Sequence, residues 1–112
     1  MFYDNSVYFK FVDLCREQGI TVPIIPGLKI LTSKVQLVNV PKNFYVNIPD
    51  SLADEIYSAK PENVLDIGVE WAAKQVGELL DKNVPSVHFY IMQNSKPVIK
   101  LMERLRLYKK IA

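Results

Sequence analysis

The stretch Ile20-Thr-Val-Pro-Ile-Ile-Pro-Gly27 decides the fold class, because it places one short apolar run between two helical patterns. Its β-branched residues favour an extended strand, and the Pro-Gly pair at its end is typical of a turn. Pro23 has no N–H group to donate, so it must lie at the start of a strand or at a sheet edge. We therefore predict a buried strand over residues 20–25 that ends before Pro26.

Two further apolar runs have the same character. Met1-Phe-Tyr3 precedes Asp4-Asn5, a pair of residues that favour helix N-caps, and Ser86-Val-His-Phe-Tyr-Ile-Met92 follows Pro85. Both runs have the length of strands and are bounded by residues that begin helices or turns. The sequence therefore predicts three strands, one in each run.

Five helical patterns surround these runs. Each combines a capping or terminating residue with apolar side chains three or four positions apart. The predicted helices run from Asp4 to Gly19, from Thr32 or Ser33 to Asn39 with Pro41 as a stop, from Asp50 with Leu52 and Ile56 inward, from Pro61 to Asn83, and onward from Ser95. The longest of them carries an apolar stripe over about five turns that only Gln75 interrupts.

Strands that alternate with helices predict an α/β fold with right-handed, parallel crossovers. Three parallel strands leave two open edges and have too few neighbours to bury both faces of every strand. A closed parallel barrel takes eight strands. We therefore expect a segment of a larger α/β barrel, and we expect its open edges to make the chain associate with itself.

Composition excludes several classes of protein. The 112 residues are 49% hydrophobic and 23% charged, which is typical of a globular domain. A formal charge of +2 gives no argument for nucleic-acid binding, and one cysteine with one histidine excludes an internal disulfide or a Cys/His zinc site. No apolar run approaches the length of a membrane span, and no signal-peptide pattern follows Met1. We expect a cytoplasmic protein.

Three stretches lie at the expected carboxyl ends of strands, where βα barrels carry their active sites. They are Phe2-Tyr-Asp-Asn5, Val22-Pro-Ile-Ile-Pro-Gly-Leu28 with Gln36 beyond it, and His88-Phe-Tyr90. Each also has a structural interpretation, as a turn, a packed core histidine or a solvated glutamine. The residues alone therefore predict a segment of an α/β barrel and do not indicate which reaction it takes part in.

Taken together, these stretches resemble the methylenetetrahydrofolate reductase family. The resemblance covers essentially the whole chain in the family's order and implies that residues 1–112 form the C-terminal segment of a (β/α)8 TIM barrel, roughly its last three strands and their helices. The matching blocks are Met1-Phe-Tyr-Asp-Asn5, Phe11-Val-Asp-Leu-Cys-Arg-Glu-Gln-Gly-Ile20, Val22-Pro-Ile-Ile-Pro-Gly-Leu-Lys29, Gln36-Leu37, Ile48-Pro49, Ile67-Gly-Val-Glu-Trp71 and Val87-His-Phe-Tyr90.

The resemblance also implies an activity. Members use FAD to pass a hydride from NAD(P)H to 5,10-methylenetetrahydrofolate, which yields 5-methyltetrahydrofolate for methionine biosynthesis. Gln36 matches a glutamine that hydrogen-bonds the folate pterin, and an amide offers both a donor and an acceptor to such a ring. Tyr90 matches a tyrosine near the flavin, whereas His88 and Phe89 are interpreted as framework.

Other parts of the family pattern are absent. The catalytic glutamate and most flavin contacts are expected upstream of Met1, so we assign no catalytic or metal-binding residue here and expect the isolated chain to be inactive without the N-terminal part of the barrel. Val40 replaces an aromatic residue that packs on the bound ring, and Asn94 replaces a cation that meets the folate tail. The alternative function is a degenerate, non-catalytic module that pairs with a partner through its exposed sheet edges.

The C-terminal helix leaves one more alternative open. Six basic residues face only Glu103 in this stretch, and a basic amphipathic helix can bind an anionic membrane or an acidic partner. The other interpretation is the outer polar face of the barrel's last helix. The basic residues are Lys96, Lys100, Arg104, Arg106, Lys109 and Lys110.

Overall fold

The computed structural model describes the backbone of residues 1–111 and the side chains of residues 1–106. Within that range it contains five α-helices, one 3₁₀ turn and two short strands. In chain order they are α1 (Asn5–Glu17), β1 (Gly27–Leu28), α2 (Gln36–Phe44), α3 (Asp50–Ser58), the 3₁₀ turn (Pro61–Asn63), α4 (Val64–Asp81), β2 (His88–Phe89) and α5 (Lys96–Ile111).

The two strands are parallel, as the alternation of elements predicts. Gly27 lies opposite His88 and Leu28 lies opposite Phe89. The N–H of His88 donates to the Pro26 carbonyl at 2.9 Å, and the N–H of Tyr90 donates to the Leu28 carbonyl at the same distance. The chain is therefore a mostly helical α/β structure in which the carboxyl ends of β1 and β2 lie at the same edge.

Helix α4 is the centre of the packing. Its predicted stripe is confirmed except at Leu80, which is exposed, since Val64, Ala72, Val76 and Leu79 are buried and Gln75 is buried among them. One side of the helix packs in a cluster with α1, β1 and α5, and the other side packs in a cluster with α2 and α3. The long helix therefore joins two small cores instead of covering one face of a wide sheet.

The predicted first strand does not form in the described part of the chain. Phe2 and Tyr3 are buried, but their carbonyls accept hydrogen bonds from side chains of α4. Gln75 Nε2 donates to the Phe2 carbonyl at 3.3 Å, and Trp71 Nε1 donates to the Tyr3 carbonyl at 2.8 Å. These side chains satisfy the acceptors that a neighbouring strand would otherwise bond, so the prediction of a strand over residues 1–3 is wrong here.

The strand predicted over residues 20–25 is displaced to Gly27–Leu28. Carbonyls in the predicted segment are bonded by side chains of α1, because Arg16 Nη1 donates to Ile20 and Val22 and the Tyr8 hydroxyl donates to Ile24. A segment whose acceptors are already used does not need a partner strand. The last predicted strand is confirmed in place but shortened from residues 86–92 to His88–Phe89.

Helix ends follow the predicted residues at some positions and differ at others. Gly19 and Asn83 adopt left-handed backbone angles just after α1 and α4, at φ 80° and 58°. Helix α2 begins at Gln36 and not at the predicted Thr32 or Ser33, and it runs through Pro41 to Phe44; the next residue, Tyr45, has φ 55° and donates its N–H to the Pro41 carbonyl. An interior proline removes one N–H donor from a helix, and here the residue beside it, Val40, is buried in the α2–α3 cluster.

Helix α5 places two of its basic residues, Lys100 and Arg104, against α4. Lys100 Nζ lies 3.5 Å from Asp66, and Arg104 makes two contacts with Glu70 at 3.0 and 3.2 Å. Asn94, and not the predicted Ser95, provides the capping side chain, because its Oδ1 accepts from the N–H of Lys96 at 3.0 Å. These ion pairs favour the interpretation of α5 as an outer helix. The side chains of Lys109 and Lys110 lie outside the described residues.

Within the described residues, none of the helices combines the length and the apolar character needed to cross a membrane. Helix α1 does carry an exposed apolar stripe at helical spacing. The stripe consists of Val7, Phe11 and Leu14, each more than half exposed.

Candidate functional site

Tyr90 lies across β1, directly after the end of β2. A Cβ atom placed on Gly27 would come within 2.7 Å of Tyr90 Cε2 and 2.9 Å of its hydroxyl oxygen. His88 packs edge-on against the Tyr90 ring, with centroids 4.8 Å apart and planes at 86°. Gly27 therefore leaves the space that the tyrosine ring occupies, which gives the Pro-Gly pair a role that its interpretation as a turn did not predict.

The pair of rings stays accessible. Tyr90 is 39% exposed and His88 is also exposed, whereas Phe89 between them packs against the main core. This alternation is the one expected of a strand with one buried and one open face. The open face of the sheet therefore presents a histidine and a tyrosine over a glycine.

Gln36 begins α2, beyond the carboxyl end of β1. Its Oε1 accepts the backbone N–H of Thr32 at 2.6 Å, the N–H of Ser33 at 3.3 Å and the Thr32 hydroxyl at 3.3 Å. In return, the Ser33 carbonyl accepts the N–H of Gln36 at 3.2 Å. The Gln36 side chain thereby pairs two backbone N–H groups of the turn that precedes α2.

The loop that carries this glutamine rests on α4. Leu31 is buried, and its carbonyl oxygen lies where a side chain on Gly68 would be. Because a glycine in α4 allows the two backbones to touch, the position of Thr32 and Ser33 is set by contact with the central helix. Sequence reasoning missed Thr32, Ser33 and Gly68 as supports of the site, although the Ser-x-x-Gln spacing of residues 33–36 was a usable signal.

Gln36 and Tyr90 lie beyond the ends of neighbouring strands, but no hydrogen bond or ring contact joins them among residues 1–106. Val40, one turn beyond Gln36, is buried in the cluster with α3. Asn94 has its side-chain oxygen engaged with α5. The assignments of Gln36 to folate and of Tyr90 to the flavin stay predictions.

A separate cavity of about 320 Å³ lies between the start of α1 and the C-terminal half of α4. Its buried polar groups bond each other. Asn5 Nδ2 donates to the Gln75 carbonyl at 3.1 Å and to Glu78 Oε1 at 2.9 Å, and Gln75 Nε2 donates to Asn5 Oδ1 at 3.0 Å. The lining residues are Tyr3, Asp4, Asn5, Pro49, Trp71, Lys74, Gln75 and Glu78. This network explains Gln75 as a structural residue that ties α4 to the chain start.

Two ionisable groups near this cavity are perturbed. Burial raises the pKa of Tyr3, whose hydroxyl has no hydrogen-bond partner among the described residues. Hydrogen bonds from the hydroxyl and the backbone N–H of Ser6 lower the pKa of Asp4, the N-cap of α1. Neither group lies at Gln36 or Tyr90. The described residues contain no cluster of three or more His, Cys, Asp or Glu side chains that could hold a metal ion.

Comparison with known proteins shows which family this chain is similar to. The family model described as methylenetetrahydrofolate reductase matches residues 1–106. A probable methylenetetrahydrofolate reductase (NADPH) of Caenorhabditis elegans is 30% identical over 97% of the chain, and methylenetetrahydrofolate reductase 1 of Schizosaccharomyces pombe is 32% identical over 96%. A 5,10-methylenetetrahydrofolate reductase of Buchnera aphidicola is 28% identical over 91%.

The chain is short beside these proteins. It spans 17% and 18% of the length of the nematode and yeast relatives and 36% of the length of the bacterial one. The match nevertheless runs through α1, both strands and α4, and it includes both Gln36 and Tyr90. The resemblance predicted from the sequence blocks is thus confirmed, and the chain belongs to the methylenetetrahydrofolate reductase family.

Proposed function

We propose that this chain is the folate-recognising C-terminal segment of a (β/α)8 reductase barrel. In the complete barrel, 5,10-methylenetetrahydrofolate is reduced to 5-methyltetrahydrofolate with FAD and NAD(P)H, in the cytoplasm and in the service of methionine biosynthesis. The segment contributes Gln36 to the folate and Tyr90 to the flavin side. Catalysis needs the strands that complete the barrel, so the 112 residues alone are inactive.

The observation that carries the proposal is the parallel pairing of β1 with β2. It puts Tyr90 and the loop that leads to Gln36 at the same edge of the sheet. In βα barrels, the carboxyl edge of the strands holds the reacting groups. Two residues that are 54 positions apart in the chain are thus brought to the edge where this family's chemistry would take place.

The residues after β2 fit the margin of a flavin. The exposed Tyr90 ring, braced by His88 and seated on Gly27, offers an aromatic surface to a planar ring system. A bound flavin would supply the hydride chemistry, which protein side chains cannot carry out. The chain's own part is to orient that ring and to exclude water from one side of it. Contacts to the remainder of the cofactor belong to the completing strands.

The residues around α2 fit one edge of a folate ring. Gln36 places a side-chain amide at the helix start, and the burial of Val40 prevents it from serving as a stacking surface. Recognition by this segment is therefore through hydrogen bonding and not through stacking. Asn94 is neutral, and its side-chain oxygen is engaged with the start of α5, so the anionic tail of the folate has no charged partner at this position.

Reconstitution tests the proposal. The segment would be fused or co-expressed with the first five strands of a related reductase, and flavin retention after dialysis would be measured with each half-reaction in a stopped-flow instrument. We expect the complete barrel to hold flavin, and we expect that flavin to be reduced by NAD(P)H and reoxidised by methylenetetrahydrofolate. The isolated chain should remain colourless.

Two results would contradict the proposal. Stoichiometric flavin on the isolated chain would show that the segment is itself the cofactor domain. A complete barrel that is well folded and flavin-loaded but not reoxidised by folate would favour the alternative, a non-catalytic module that pairs through its sheet edges. In that case, the isolated chain should instead capture the first five strands without conferring activity.

A further inference from the structure

We propose that Gln36 recognises its ligand through the amide nitrogen alone, so the ligand group opposite it must be a hydrogen-bond acceptor. The backbone of Thr32 and Ser33 acts as the positioning device that fixes this polarity. The inference deepens the proposed function and rests on it. It also changes what the sequence predicts, since the residue type alone offers a donor and an acceptor together.

The orientation of the amide follows from the groups that surround it. Two backbone N–H groups, from Thr32 and Ser33, point at the same side-chain atom, at 2.6 and 3.3 Å. An NH₂ group has no lone pair that could accept these protons, so this atom can only be the oxygen. The nitrogen is therefore directed away from the loop.

The oxygen has no capacity left for a ligand. A carbonyl oxygen has two lone pairs, and the Thr32 hydroxyl at 3.3 Å is a third group within reach of it. Nε2, by contrast, has no hydrogen-bond partner among residues 1–106, and the side chain is only half-buried. Of the two ends of the amide, the nitrogen alone can meet another molecule.

The Thr32 and Ser33 N–H groups that hold Gln36 Oε1 form a clamp, and two contacts fix its position. The Ser33 carbonyl accepts the N–H of Gln36 at 3.2 Å, which closes a ring of bonds between the loop and the helix start. Leu31, one residue before the clamp, lies against the backbone of α4 at Gly68. Reversing the amide would break three hydrogen bonds and leave two N–H groups facing an NH₂ group, so a ligand cannot invert it cheaply.

The ligand class follows from this polarity. The group that meets Gln36 carries an exposed lone pair, such as a ring carbonyl oxygen or an unprotonated ring nitrogen of a planar heterocycle. A ring edge that presents only N–H donors would face the Gln36 donor and be rejected, because both protons would then lose their partners. Gln36 therefore selects both the ring edge and its protonation state.

Two substitutions separate the clamp from the recognition group. Gln36→Glu keeps an oxygen for Thr32 and Ser33 but replaces the donor by a second acceptor. Gln36→Ala removes both. Asn39→Asp is the matched control, since it makes the same amide-to-acid change on an exposed position one turn further along α2.

The variants would be measured in the complete, flavin-loaded barrel, with the folate half-reaction, the nicotinamide half-reaction and the thermal midpoint recorded for each. We expect Gln36→Ala to slow the folate half-reaction roughly 2- to 12-fold, the effect of one neutral hydrogen bond, and Gln36→Glu to slow it at least as much. Reduction by nicotinamide changes less than the folate step in both variants. Only Gln36→Ala lowers the thermal midpoint, by about 2 °C, because only it removes the oxygen that accepts the Thr32 and Ser33 N–H groups.

Each other outcome overturns a defined part of the inference. A Gln36→Glu barrel that handles folate like the wild type would show that the nitrogen is not the recognition group. A Gln36→Glu barrel as destabilised as Gln36→Ala would show that the clamp does not exist. If Asn39→Asp slows the folate step equally, added charge and not lost donation is the cause. A wild-type barrel that binds flavin but not folate refutes the proposed function and this inference with it, whereas the first three results refute the inference alone.

Discussion

Replacing Gly68 with alanine should destabilise the fold and displace the loop that carries Gln36. A Cβ atom at this position would overlap the carbonyl oxygen of Leu31 and lie 2.9 Å from its carbonyl carbon and 3.2 Å from its nitrogen. Ordinary carbon contacts are about 3.5–4.0 Å, so α4 and the loop would have to move apart by about 1 Å or more. All three atoms belong to the backbone, so no side-chain rotation can relieve the overlap.

The magnitude can be isolated with a second glycine of the same helix. Gly77 has nothing within 4 Å of an added Cβ, so Gly77→Ala should show only the gain in helix propensity, about 1 kcal/mol at most. Gly68→Ala has the same gain but adds the cost of forcing atoms into a packed site, which is about 1–3 kcal/mol. Because backbone resists on both sides, we expect the difference between the two variants to be about 3 kcal/mol.

Urea denaturation followed by tryptophan fluorescence measures this difference. Trp71 is the single tryptophan, and its Nε1 donates to the Tyr3 carbonyl, so its emission reports on the packing of α4. Titrations at several protein concentrations separate unfolding from association, which affects both variants alike. If Gly68→Ala unfolds at the same urea concentration as Gly77→Ala, or at a higher one, the close approach of Leu31 to α4 is incorrect.

Three further outcomes are expected. The isolated chain should associate in a concentration-dependent manner, as analytical ultracentrifugation would show. Phe11→Lys should weaken this association because Phe11 belongs to the exposed apolar stripe of α1; Tyr57→Lys should weaken it less, because Tyr57 is 75% exposed but lies outside that stripe. The folded-state pKa of Asp4 is depressed, so its capping contribution is complete above its ordinary pKa of 3.8 and is lost as the pH falls below that value; a pH series of unfolding midpoints should show this loss in the wild type and not in Asp4→Asn, which caps without a charge. Gly27→Ala should displace the Tyr90 ring from β1 and lower flavin retention by the complete barrel; unchanged flavin retention would show that Tyr90 does not contact the cofactor.

The sequence alone determined the helices and the family. The capping residue Asp4, the left-handed positions after α1 and α4, and the apolar stripe of α4 are local signals, because a helix satisfies its own hydrogen bonds within a few residues. The sequence blocks that identify the family are likewise contiguous. Helix α2 was harder to bound, since it continues through Pro41, where the sequence predicts a stop, and buries Val40 beside it.

Only the tertiary structure decided which extended segments became strands and what the polar side chains of the site can do. A strand needs a partner backbone. The carbonyls of residues 2 and 3 instead bond the side chains of Gln75 and Trp71, and carbonyls within residues 20–25 bond the side chains of Tyr8 and Arg16. The residue type at position 36 predicts an amide, but its polarity is set by the Thr32 and Ser33 N–H groups, which lie where they do because Leu31 rests on α4. Both properties depend on contacts between segments far apart in the chain, and the pattern of one segment carries no information about the groups that the others bring to it.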